Sequence, residues 1–156
     1  MTVIDVDSLN HRDVWSTRYK DVTILIEHHG VSEHEPHGIW CYYLVFRLDC
    51  IDFPDQPDNF EPYGYWDNWL NRWFMQHFDS DVGFHGGITY SEKQGDNLVK
   101  VGCDYNHLFD QDMKEDYNQT ILLSDAKDTV DAFLRKYPDY LERREDALRA
   151  KKENNE

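Results

Sequence analysis

A chain of 156 residues with 40% apolar and 15% aromatic content is long enough for one hydrophobic core and too rich in large side chains for disorder. Its 31 acidic against 16 basic residues leave a formal charge of −15, a field that repels nucleic-acid phosphates and anionic membrane surfaces and draws in basic partners. Three cysteines without a CxxC, no apolar run of membrane-spanning length, and Asp5 and Asp7 in place of an apolar leader predict a soluble, reduced, cytoplasmic protein that contacts neither nucleic acid nor membrane directly.

Residues 1–20 are mixed, with Val14, Trp15 and Tyr19 as anchors to the body. The β-branched run Val22-Thr23-Ile24-Leu25-Ile26 predicts a strand over 21–28. His28, His29, His34 and His37 then fall in a glycine- and proline-bearing connection, which favours a loop over a fixed metal geometry. Residues 39–48 are nearly continuously apolar and read as a central strand covered on both faces, with Cys41 as a small hydrophobe.

The following segment places Asp49, Asp52, Asp55, Asp58 and Glu61 at every third position among Pro54, Pro57 and Pro62. Polyproline II has three residues per turn, so these carboxylates could line one edge as a rigid strip that docks a basic partner. Left in water, the same run is a solvated acidic loop. Between residues 48 and 92 nine acidic residues face Arg72 alone, a net −8 in under a third of the chain.

Trp66, Trp69, Leu70, Trp73, Phe74, His77 and Phe78 recur at helical spacing and predict an amphipathic helix over 66–78. Trp69, Trp73 and Phe74 should be buried against the sheet, and His77 should be a hydrogen-bonded core histidine. Two further strands, 86–91 and 98–104, are joined by a polar turn through Gly95. Ser124 and Asp125 can cap a helix over 125–136 with Ala126, Val130, Phe133 and Leu134 inward. Pro138 ends that helix and can open the next, 138–151, which carries Leu141 and Leu148. The class is therefore α+β: an antiparallel sheet of four or more strands packed with an aromatic-rich helix and two C-terminal helices. Residues 1–150 form one globular domain, and 151–156 a frayed tail.

The most ligand-like side chains gather in His85-Gly86-Gly87 and Asp104-x-x-His107-x-x-Asp110. Two carboxylates and an imidazole suit Zn²⁺, Mn²⁺ or Fe²⁺, and a hairpin could add His85 as a fourth ligand. Asp104 and Asp110 could equally cap turns while His107 fixes the loop. Cys103 beside Asp104 has its thiolate disfavoured, and the chain has no P-loop and no G-x-G-x-x-G.

Trp40-Cys41-Tyr42-Tyr43, His85-Gly86-Gly87-Ile88-Thr89-Tyr90 and Gly102-x-Asp104-x-x-His107-x-x-Asp110 together resemble a pattern in small uncharacterised accessory proteins of tailed bacteriophages and prophages. The resemblance covers roughly residues 39–110, with Cys103 where that pattern has an aromatic and Tyr105 where it has a cysteine. It implies a role during infection, in the host cytoplasm, and no established chemistry. Two functions follow as expectations. One is a non-enzymatic acidic protein that binds and modulates or inhibits a host factor, such as a defence protein, through a basic surface of that factor. The other is a metal-dependent hydrolase or a small-ligand or nucleotide binder using His85, Asp104, His107 and Asp110.

Overall fold

The computed structural model describes residues 12–154, and everything below concerns those residues. Five antiparallel strands form one sheet: β1 (Arg12–Tyr19), β2 (Val22–His29), β3 (Ile39–Arg47), β4 (Tyr90–Lys93) and β5 (Leu98–Asp104), in the spatial order β1-β2-β3-β5-β4. All four pairings are antiparallel, and short connections join β1 to β2, β2 to β3 and β4 to β5, as hairpin geometry requires. The α+β class is as expected. β1 is an additional edge strand in a stretch with only anchoring residues visible from its sequence, because most of its side chains are exposed and its apolar pattern is thin.

One face of the sheet carries Ile24, Ile26, Tyr42, Leu44, Phe46, Val99, Val101 and Cys103, all buried. Helix α3 (Gln119–Lys136) packs across β1, β2 and β3 with Leu122, Ala126, Thr129, Val130 and Phe133 inward. Its N-cap is Asn118, whose side chain accepts from the Ile121 amide at 3.0 Å. The helix therefore starts well before Ser124 and Asp125, and the apolar run at 120–123 is its first turn. Helix α4 (Tyr140–Asn154) follows, with a helical end three residues beyond the expected 151; residues 155–156 of the expected tail lie outside the described residues.

The aromatic helix forms, but later and less regularly than its spacing predicts. It comprises α1 (Trp69–Trp73), a π-helical turn (Phe74–Phe78) and α2 (Asp79–Val82), with the Asn68 side chain capping its start through the Asn71 amide. Phe74, Phe78 and Val82 are the buried stripe, while Trp69 and Trp73 are only half-buried. His77 is exposed, so the core role expected for it is not what the fold gives. Phe46 is the hub of the core: its ring meets those of Phe74, Phe78, Phe133 and Tyr140, with centroids between 4.6 and 6.5 Å. Ring pairs in these tilted and stacked arrangements add to the burial energy of each side chain.

Among the described residues no helix covers the other sheet face. Its middle is closed by polar residues covering one another: Glu27 is buried between Arg12 at 3.8 Å and Lys100 at 3.6 Å, and Lys100 lies 4.3 Å over the Tyr43 ring. Gly102 sits opposite Tyr43, where a Cβ would come within 2.3 Å of that ring and 2.2 Å of the Tyr42 carbonyl. Only glycine fits there.

Candidate functional site

The β4–β5 hairpin turns through Gly95 and brings the residues before β4 alongside those after β5. His85, Asp104, His107 and Asp110 do gather there. The His85 and His107 ring centroids are 6.0 Å apart, yet the four side chains divide into two pairs.

Asp110 is completely buried and accepts three hydrogen bonds: from the Tyr117 hydroxyl at 2.6 Å, from His85 Nε2 at 2.7 Å and from the His107 amide at 2.9 Å. Burial pushes its carboxyl up, but the Tyr117 hydroxyl, the His107 amide and the His85 ring outweigh that and hold the pKa below its ordinary value. An ionised acceptor makes His85 Nε2 the donor. The His85 ring is further fixed by stacking on Tyr105 at 3.7 Å and 4°. Tyr105 in turn donates to Asp125 on α3.

Asp104 forms the second pair, with His107. It accepts from the Asn106 amide at 3.1 Å, and its Oδ1 lies 3.7 Å from His107 Nε2. The His107 side chain accepts from the Asp110 amide in a reciprocal cap of the 3₁₀ turn Leu108–Met113. His107 Nε2 is buried and has no hydrogen-bond partner. Gly86, at φ +67°, roofs that atom: a Cβ there would stand 2.3 Å from it. The Asp-x-x-His-x-x-Asp spacing thus builds a loop lock around Asp110, with His107 Nε2 left unpartnered inside it. Among the described residues no group of three or more His, Cys, Asp or Glu side chains is placed to hold a metal ion.

Burial disfavours the thiolate form of the cysteines. Cys41 is 3.6 Å from His29 Nε2, but burial pushes its thiol up to about 11, and burial likewise raises Cys103.

The expected acidic strip is split by its backbone and its partners. Asp49 lies in a 3₁₀ turn (Leu48–Cys50) and is bonded by the Arg47 guanidinium at 2.8 and 3.0 Å. Asp52 has φ +56°, outside polyproline II, and meets Arg143 of α4 at 2.9 Å. A continuous polyproline edge from Asp49 therefore does not form. Asp55, Asp58 and Glu61 remain exposed and are joined to no cation in any ion pair among the described residues.

Those three acids lie on a loop wrapped over α1. The Trp69 indole donates to the Pro54 carbonyl at 2.9 Å, Phe60 packs edge-on to Trp69 at 5.9 Å, and Arg72 donates to the Glu61 carbonyl at 3.2 Å. Arg72 also pairs with buried Asp67 and lies over the Phe60 and Tyr63 rings, at 4.4 and 4.7 Å. Beyond it a cleft of about 620 Å³ opens between α1 and β4, lined by Tyr63, Trp66, Met75 and Tyr90 with Asn71 and Gln76. Tyr63 is 85% exposed, Trp66 63% and Met75 55%, and neighbouring Tyr65 is fully exposed. Sequence reasoning assigned Trp66 to the buried helical stripe. The signal against that assignment is local: Pro62, Gly64 and three large rings within five residues mark a turn that presents rings, not a periodic helix face.

The fold and this face together define an acidic α+β domain with an exposed aromatic cleft. No family model, curated protein or solved structure matches the chain. Among the described residues no helix is long and apolar enough to cross a membrane.

Proposed function

We propose that this chain is a non-enzymatic binding protein that docks a basic surface of a host protein and modulates or inhibits it, as a bacteriophage-type accessory factor. One observation carries the reading: the exposed rings Tyr63 and Trp66 line a cleft, and the loop that leads into them carries Asp55, Asp58 and Glu61, exposed and in no ion pair among the described residues. Exposed aromatic anchors beside a charged rim are the usual anatomy of an interface. The acids steer encounter with a basic surface, and the rings supply the short-range contact. The resemblance to phage accessory proteins supports a host partner and an anti-defence role. The rival reading, a metal-dependent hydrolase or nucleotide binder at His85, Asp104, His107 and Asp110, draws on side chains already engaged with one another.

The test compares wild type with a variant carrying Asp55→Asn, Asp58→Asn and Glu61→Gln. Proteins retained from host lysate by wild type should be lost by the variant, and the purified partner should bind wild type with an affinity that falls as salt rises. Equal retention by both proteins would contradict the proposal.

A further inference from the structure

We infer that the cleft between α1 and β4 receives an arginine side chain of the basic partner; this rests on the docking reading above and names what the partner must present. The lining brings the rings of Tyr63, Trp66 and Tyr90 and Met75 together with polar residues, of which the Ser91 hydroxyl already donates to Asn71 Oδ1 and Arg72 is paired with Asp67. A guanidinium is planar and weakly hydrated, so it stacks on an aromatic face while donating in its own plane. An ammonium is compact and strongly hydrated, and it would gain less from the same walls.

The loop that supplies Tyr63 and Trp66 to the lining is acidic, which fits such a guest. Residues 52–67 contain five acids and no base. Asp67 is neutralised by Arg72 and Asp52 by Arg143, which leaves Asp55, Asp58 and Glu61 for an incoming cation. Arg72 is itself held by Asp67 and the Glu61 carbonyl, so its charge is balanced within the wall. The same loop already holds one guanidinium in this manner, Arg72 against the Phe60 and Tyr63 rings. Anionic guests such as nucleotides meet the opposite field.

The backbone at the cleft is also out of the ordinary. The helix departs from α geometry at Phe74–Phe78, the stretch that puts Met75 and Gln76 on the lining while Phe74 and Phe78 stay fully buried. π turns inside helices recur at functional sites because they re-aim side chains without breaking the core stripe.

The test measures binding of a fluorescent tetra-arginine peptide and a tetra-lysine peptide of equal charge to the intact protein. Wild type should prefer the arginine peptide by about tenfold, the scale of one well-formed cation–π contact. Trp66→Ala, at an exposed ring, should leave the circular-dichroism spectrum unchanged and abolish the preference, with residual binding equal for both peptides. Asp55→Asn with Asp58→Asn and Glu61→Gln should weaken both. Equal wild-type affinities that depend on the three acids would overturn the arginine inference and leave docking standing. A preference that survives Trp66→Ala would likewise remove the cleft as its origin. Binding of neither peptide would contradict both readings.

Discussion

Asp110 shows how a single carboxylate organises the end of the hairpin. Three donors converge on it with no solvent contact, from the loop before β4, from the turn after β5 and from the segment leading into α3. Its folded pKa is depressed below the ordinary 3.8, so its contribution is fully present above that value and is lost as pH falls through the folded value. Asp110→Asn should cost about 2–3 kcal/mol at neutral pH, the range for losing charge-assisted hydrogen bonds in a buried site. The gap between wild type and variant should narrow as pH drops below 4, measured by urea unfolding across pH. A gap that stays constant into the acid range would mean that the carboxylate is not ionised in the fold. The gathering of His85, Asp104, His107 and Asp110 was legible from the paired glycines and the hairpin turn. Their division into two pairs was not, because it depends on Tyr117 and the Asp110 amide, residues that no spacing links to His85.

Among the elements, those with a strong apolar period were readable: β2, β3, β5 and the buried face of α3 follow from β-branched runs and helical spacing. β1 escaped because an edge strand buries little, and the start of α3 because its first turn is set by an Asn cap rather than by periodicity. In the aromatic helix the period placed Phe74 and Phe78 in the core, but Trp66 belongs to the preceding turn, Trp73 is only half-buried and His77 is exposed, because the π-helical residues shift the buried face. The energetic consequence is testable. Phe78 has no exposure and touches Phe46, Phe74 and Phe133. Phe78→Ala should therefore cost about 3–5 kcal/mol. Trp73→Ala, half-buried against Phe53 and Phe74, should cost clearly less in the same urea titration. The reverse order would place the core on the wrong side of this helix.

For the whole molecule, the free acids and the exposed rings fall on one loop, residues 54–66. The −15 formal charge is visible in composition, and the every-third-residue acids point to the loop that carries it. Which acids are free was not visible, since Arg47 and Arg143 reach Asp49 and Asp52 only once β3 and α4 are in place. The remaining acids share one loop with the exposed rings, and the docking proposal rests on that. Hydrogen–deuterium exchange of the chain with and without the host partner proposed for it tests this most directly, because it maps protection residue by residue without presupposing which face is covered. Protection concentrated in residues 54–76 and 89–91 is the expected result. Protection confined to the helix-free sheet face, or to the 3₁₀ turn bearing Leu108 and Phe109, with 54–76 unchanged, would contradict it.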